Sequence, residues 1–267
     1  MRPVILIGAG RMGGALLNGW AKSQFAPLIA VEPQPSPALK RLARRHQIAL
    51  FARVDSIHSL RAGACIVALK PQVLNLEAAR LRPIAESGAL MISIAAGTNT
   101  ATLKKAWGPK ARIVRAMPNT PGAIGKGITA LFAAKGVSTK DKALAQRLLA
   151  ALGETVWLKS EKDIDVVTAV SASGPAYVFL LVEALAAAAF AEGLPLALAE
   201  KLARATIIGS GALLEADPSP PKRLRQNVTS PGGTTEAALK ILLAKDGLPD
   251  VLKRAVAAAR RRARDLG

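Results

Sequence analysis

Three kinds of short stretch in this 267-residue chain carry residue types whose spacing can do chemistry. The first is Gly8-Ala9-Gly10-Arg11-Met12-Gly13, which follows the apolar run VILI and opens a helical-looking segment. In that setting Gly8 makes a tight turn, Gly10 lets a pyrophosphate approach the backbone, and Gly13 lets the helix lie close to the strand; Arg11 and Met12 supply first-turn N–H groups. Glu32 closes the next apolar run, LIAV, at the place where an acidic side chain accepts hydrogen bonds from an adenosine ribose. A carboxylate there favours NADH, while Lys40, Arg41 and Arg44 stand close enough in sequence to turn toward a 2′-phosphate. Both NADH and NADPH therefore stay open.

The second kind is a set of strand ends. Ala68-Leu69-Lys70-Pro71, Ser93-Ile94-Ala95-Ala96-Gly97 and Met117-Pro118-Asn119-Thr120-Pro121 each close an apolar run. Ligands of open parallel sheets bind at the carboxyl ends of the strands. Small residues and proline-bounded turns on one rim leave room for a flat ring, and together the three read as a nicotinamide pocket. The third stretch is Ser230-Pro231-Gly232-Gly233-Thr234-Thr235, a turn running straight into EAALKILLAK. Backbone N–H groups at such a helix start have no intrahelical partner and seat a carboxylate or phosphate; an isolated helix cap is the plainer reading.

These stretches need a scaffold, and the hydrophobic pattern indicates one. VILI, LIAV, ACIVAL, LMISIA and RIVRAM are short buried strands separated by helical segments, as in a parallel sheet with helices on both faces. GITALF and ETVWLK extend the sheet around the helical KDKALAQRLLAAL. After Asp163 strand signals stop, and the segments 172–192, 196–216, 221–227, 234–245 and 249–266 look helical. The expected fold is an α/β Rossmann domain over 1–162, with a mostly parallel doubly wound sheet, followed by an all-α domain over 163–267. Several helices of that second domain are too alanine-rich to solvate a free surface, which points to packing against a second subunit.

Composition narrows the function classes. With 51% hydrophobic residues the chain is not disordered, and its single cysteine, Cys65, allows neither an internal disulfide nor a cysteine metal cluster, which suits a reducing, cytoplasmic setting. No small-residue cleavage site follows the first apolar run, so a secretory leader is not expected. VFLLVEALAAAAFAEG carries Glu183 and Glu192 and reads as a buried helix rather than a membrane span. The net charge of +19 points toward nucleic acid, but aromatic residues are only 3% and the basic residues are not interleaved with stacking rings. Steering of anionic ligands is the better use of that charge, with no nucleic-acid partner expected.

VSASGPAYVF over 170–179, together with SPGGTTEAAL over 230–239, resembles the pyrroline-5-carboxylate reductases, the enzymes that make proline. The likeness continues through GAGRMGGAL, ALKPQ, SIAAG and RAMPNTP and so covers essentially the whole chain. Ala172 stands where the family more often has glycine, and VEPQPSP is less typical of it. The resemblance implies a Rossmann domain followed by a helical dimerisation domain, with dimers often assembling into decamers and no membrane association. It implies hydride transfer from C4 of NADH or NADPH to C5 of the cyclic imine 1-pyrroline-5-carboxylate, at a site on the dimer interface. By the same resemblance Ser230, Gly232, Gly233, Thr234 and Thr235 receive the substrate carboxylate, with Thr235 also reaching the ring nitrogen. Thr168 and Glu161 match positions near the substrate, Asn227 one that reaches toward the cofactor, and Lys70 one beside the nicotinamide ribose. Thr235, Lys70 and Thr168 are thus the positions closest to the reaction.

Two other functions fit the same plan. The β-hydroxyacid dehydrogenases share the two-domain order, but they use a lysine on the long helix after the junction, and PAYVFLLVEALAAAAFAEG has none. A non-enzymatic nucleotide or nucleic-acid binder has no use for SPGGTT.

Overall fold

The computed structural model describes residues 2–23, 25 and 27–265. The chain divides into two compact units, one running to Ala172 and resuming at Ala259, the other formed by Ser173–Ala258. The junction expected at Lys162 lies earlier than this division. Strands do end at Trp157, but Ile164 and Ala169 are still buried within the first unit.

In the first unit eight strands form one sheet: β1 Val4–Ile7, β2 Leu28–Val31, β3 Ala49–Phe51, β4 Ala64–Val67, β5 Leu90–Ser93, β6 Arg112–Met117, β7 Gly127–Ala133 and β8 Gly153–Trp157. Their order is β3-β2-β1-β4-β5-β6-β7-β8, every neighbouring pair parallel except antiparallel β6 and β7. β1, β2, β4 and β5 are buried at every residue, as their unbroken apolar runs require when helices cover both faces. Those covers are α1 Arg11–Ser23, α2 Pro37–Arg45, α3 Pro71–Glu77, α4 Arg82–Glu86, α5 Thr100–Trp107 and α6 Thr139–Leu149, with the short α7 Asp163–Val167 after β8. One face buries Leu16, Leu17, Trp20, Leu148 and Leu149 against the sheet; the other buries Leu74, Leu81, Ile84, Leu103 and Trp107. Cys65 is enclosed on β4, and that burial pushes its thiol far above its ordinary pKa, leaving it inert.

The chain order reverses between β1 and β4: after β1 it builds β2 and β3 on one side, then crosses to β4 on the other. A crevice opens at the carboxyl ends of the strands at such a point. β3 was not expected from the sequence, because ALF is three residues long and half exposed, too short to show a period.

The second unit is helical: α8 Gly174–Ala191, α9 Leu196–Ala216, α10 Pro221–Asn227, α11 Thr234–Leu242 and most of α12 Leu248–Asp265. Leu266, expected at the end of the last helix, lies outside the described residues. α8 and α9 pack on each other through small residues, burying Ala186, Ala199 and Ala203, while Phe179, Leu180, Phe190, Ile208 and Leu213 stay exposed over half or more of their surface. The helical stretch Asp163–Ala191, with mean hydropathy 1.7, is long and apolar enough to cross a bilayer by length and composition alone. The helix expected to be buried is not buried within this chain, since only 6% of its apolar window is enclosed and Ala186 is the one buried residue of α8.

Candidate active site

The Gly8–Gly13 turn separates what the fold needs from what a ligand needs. Gly8 has φ +86°, and a Cβ there would lie 2.8 Å from the Ala68 carbonyl oxygen on the neighbouring strand end. At Gly13 a Cβ would fall 2.1 Å from the Gly8 carbonyl oxygen. Both glycines are demanded by the protein's contact with itself. Around Gly10, by contrast, no atom lies within 4 Å of where a Cβ would stand. Nothing in the fold requires a missing side chain there. The first-turn N–H groups of Arg11 and Met12 point from the start of α1 with no acceptor among the described residues. A diphosphate fits this cradle.

Glu32 leaves the end of β2 beside it. Its Oε2 accepts the Ala9 N–H at 2.9 Å and its Oε1 the Gln34 N–H at 3.2 Å. The carboxylate therefore ties the glycine turn to β2, and each oxygen keeps a further lone pair for a ligand hydroxyl. A cavity of about 460 Å³ opens here, bounded by Gly8, Val31, Glu32, Val54 and Leu69, with Arg53, Asp55, Glu77 and Arg80 contributing the charges. The basic residues of α2 do not take part. Leu39 and Ala43 turn inward, leaving Arg41 exposed and placing Lys40 and Arg44 in a separate depression with Ile48 and Leu50.

Ala68, Leu69, Lys70 and Pro71 form the turn between β4 and α3, with Pro71 at the first helical position and the exposed Lys70 as an N-cap without a side-chain cap bond. Ala95, Ala96 and Gly97 form the turn after β5. The structure thus sets these two turns and the glycine turn on the carboxyl ends of β1, β4 and β5, three consecutive strands of the sheet.

Behind the Ala95–Gly97 turn lies a polar group that sequence reading only half found. Glu161 accepts the Thr100 N–H and the Thr100 hydroxyl, each at 2.7 Å, and pairs through Oε1 with Arg115 Nη1 at 2.8 Å. Arg115 sits mid-strand on β6 with its side chain 5% exposed, and its Nη2 has no hydrogen-bond partner. Burial pushes the Glu161 carboxyl up, but the hydrogen bonds from Thr100 and Arg115 and the Arg115 charge outweigh it, and the pKa is lowered overall. The carboxylate thus holds the first turn of α5, directly after the Ala95–Gly97 turn. Arg115 was missed; its signal was a charged residue inside the apolar strand RIVRAM, where an unpaired cation does not survive burial.

Asn119 is also engaged by the protein. Its Oδ1 accepts the Ile128 N–H at 3.0 Å and its Nδ2 donates to Ser171 Oγ at 3.3 Å, joining the end of β6 to β7 and to a π-helical turn over Thr168–Ala172. Thr168 opens that turn and donates its hydroxyl to the Ile164 carbonyl at 2.8 Å. Wide turns of this kind recur at functional sites.

In the second unit Ser230–Thr235 folds as the sequence suggests. Gly232 takes φ +70°, Gly233 is the N-cap of α11, and a Cβ on Gly233 would meet Ser230 Oγ at 2.5 Å. The N–H groups of Thr234 and Thr235 have no acceptor among the described residues, Thr234 being exposed and Thr235 half-buried. The Gly232 N–H is already taken, donating to Glu236 Oε2 at 2.8 Å. Asn227 ends α10 in an exposed position.

Comparison with known proteins matches residues 161–266 to the family profile described as pyrroline-5-carboxylate reductase dimerisation, and residues 3–97 to one described as NADP oxidoreductase, coenzyme F420-dependent. A pyrroline-5-carboxylate reductase of Synechocystis is 38% identical over 98% of this chain and 97% of its own length. The solved pyrroline-5-carboxylate reductase of Coxiella burnetii superposes with a TM-score of 0.90 at 33% identity, covering 100% of this chain and 98% of that one. The Plasmodium falciparum pyrroline carboxylate reductase, solved with NADP bound, gives 0.85 at 29% identity, covering 100% and 98%. A glycine turn open only at Gly10, a helical second unit and this likeness from end to end agree: the chain belongs to the pyrroline-5-carboxylate reductase family.

Proposed function

We propose that the protein reduces 1-pyrroline-5-carboxylate to proline at the expense of NADH or NADPH. The observation that carries this reading is the vacant space at Gly10 above the unpaired N–H groups of Arg11 and Met12, in a chain that matches reductases of this imine along its whole length. The reduced nicotinamide supplies the hydride that reaches C5 of the imine. The chain's own residues bind and orient. Gly8–Gly13 cradles the diphosphate and Glu32 takes the adenosine ribose. Ala68–Pro71 and Ala95–Gly97 line the ring, with Lys70 beside its ribose and Asn227 reaching toward the cofactor. Asn119, its amide bonded on both sides, shapes that rim rather than offering free donors.

Ser230, Gly233, Thr234 and Thr235 receive the substrate carboxylate, and Thr235 steadies the ring nitrogen. Gly232 contributes its turn, its N–H being held by Glu236. No strong base is needed, because a protonated imine is already a good hydride acceptor and positioning is the main task. Thr168 stands near the substrate. Glu161, first read as a substrate contact, positions the α5 turn through Thr100 and Arg115. The exposed apolar faces of α8 and α9 meet a second copy of the chain, not lipid, and the dimer is the unit from which a decamer is built. A cytoplasmic, reducing setting suits it, with no nucleic-acid partner. The test follows absorbance loss of NADH and NADPH in the presence of pyrroline-5-carboxylate, with proline measured by amino-acid analysis; cofactor oxidation without proline, or none at all, ends this reading.

A further inference from the structure

The cavity beside Glu32 carries a charge pattern that bears on cofactor choice. Arg53 Nη2 lies 3.1 Å from Asp55 Oδ2, and Arg80 Nη1 lies 3.1 Å from Glu77 Oε2. Both guanidinium groups of the cavity are therefore paired with carboxylates of the same cavity. Glu32 meets no cation among the described residues; its oxygens take only the backbone N–H groups of Ala9 and Gln34. The lining is thus negative by one charge, and that charge stands at the end of β2, where the ribose 2′-position of a dinucleotide comes to rest. A 2′-hydroxyl donates to such a carboxylate, whereas a 2′-phosphate is repelled by it.

We infer that Asp55, by pairing with Arg53 beside Glu32, makes this chain select NADH over NADPH. This rests on the proposed reading of the cavity as the adenosine end of the cofactor site. Arg53 follows β3, caps the short turn Val54–Ile57 and lines the cavity together with Gly8 of the glycine turn. It is able to meet a 2′-phosphate, since arginine matches phosphate geometry with two parallel donors. The Arg53–Asp55 pair is exposed, and exposed pairs are weak. The selection is accordingly a matter of several-fold, set by the local sum of charges rather than by an immovable contact.

The experiment has two arms. In turnover, kcat/KM is measured with NADH and NADPH side by side for the wild type, Asp55→Asn and the double variant Asp55→Asn with Arg53→Gln. The wild type favours NADH by about fivefold or more, Asp55→Asn moves the NADPH/NADH ratio upward by roughly three- to tenfold, and the double variant loses that gain. In calorimetry, with no turnover involved, Asp55→Asn tightens 2′,5′-ADP by a similar factor while the affinity for ADP moves less than about twofold. A wild type that favours NADPH, a ratio unmoved by Asp55→Asn, or a gain that survives loss of Arg53 overturns the inference. Failure to form proline with either cofactor, alongside the calorimetric shift, ends the proposed reaction and leaves the role of Asp55 standing.

Discussion

Both glycine turns of this protein open a helix and present unpaired N–H groups, yet they are built differently. Gly8–Gly13 is shaped by distant chain: Gly8 abuts the Ala68 carbonyl just after β4, and Ala9 is tied to Glu32 just after β2. Ser230–Thr235 is shaped by its own neighbours: Gly233 is crowded by Ser230 and Gly232 is held by Glu236. The first turn inherits the rigidity of a buried parallel sheet. The second holds its form through a few residues on an exposed helix start, and its first donor is already occupied by a carboxylate of the same helix. The two turns thus share one device, the helix N-terminus, with different degrees of support, which suits the large cofactor and the small anion proposed for them.

Substitutions can break this contrast, the largest effects coming where distant chain is involved. Gly13→Ala drives a methyl group into the Gly8 carbonyl and is expected to cost more than about 3 kcal/mol of stability, read by denaturant unfolding. Gly10→Val, three residues away, meets open space; its unfolding curve stays within about 1 kcal/mol of wild type while nucleotide affinity falls by roughly 100-fold or more in a titration. Equal effects of the two variants would erase the distinction between packing glycine and ligand glycine.

On the second turn Thr235→Val keeps the shape and removes the donor. Loss of one or two hydrogen bonds to a charged group costs about 2–4 kcal/mol, or roughly 30- to 1000-fold in kcat/KM, with cofactor affinity retained and the dimer intact by light scattering. A wild-type efficiency would reduce this turn to a helix cap.

Glu161→Gln sharpens the contrast from the side of the sheet. Removing the carboxylate charge leaves Arg115 buried beside a neutral amide, and the partial exposure of Glu161 limits the cost to about 1–3 kcal/mol. Because the folded pKa of Glu161 is lowered, its contribution is fully present above the ordinary carboxylate range and is lost as pH falls through the folded value. Thermal midpoints of the wild type should therefore decline more steeply on acidification than those of the variant. Parallel curves would show that the pair does not sustain the α5 turn.

The smallest effect belongs to Glu236→Gln. It removes a favourable charge from the start of α11, worth about 0.3–1 kcal/mol, and at the same time relieves a negative group from the seat of an anionic substrate. Stability drops slightly and KM for the imine drops with it; a rise in KM would mean that Glu236 helps to build the seat instead of occupying it.

β1, β2 and β4 were legible because each was an unbroken apolar run, and the long helices of the second unit because their composition left no other choice. β3 was not, since three half-exposed residues show no period. The antiparallel turn of β7 could not be read either, because GITALF shows the same pattern in either direction. Site residues divided along similar lines. Gly8, Gly10 and Gly13 were readable from spacing, since backbone geometry dictates them locally. The engagement of Glu161 with Thr100 and Arg115 was not, because Thr100 on α5, Arg115 on β6 and Glu161 after β8 meet only in the folded chain. The same holds for Arg53 and Arg80, which sequence proximity to Glu32 would not have favoured over Lys40 and Arg44.

α8 and α9 bury little beyond Ala186, Ala199 and Ala203 and leave Phe179, Leu180 and Phe190 to the surface. Mass action then enters the protein's stability. Anything that binds only the folded chain stabilises it in proportion to the logarithm of its concentration, and here the binding species is the chain itself. Dilution withdraws that support without altering a residue: the melting temperature falls with each tenfold step, and specific activity falls once the concentration passes below the dissociation constant of the pair.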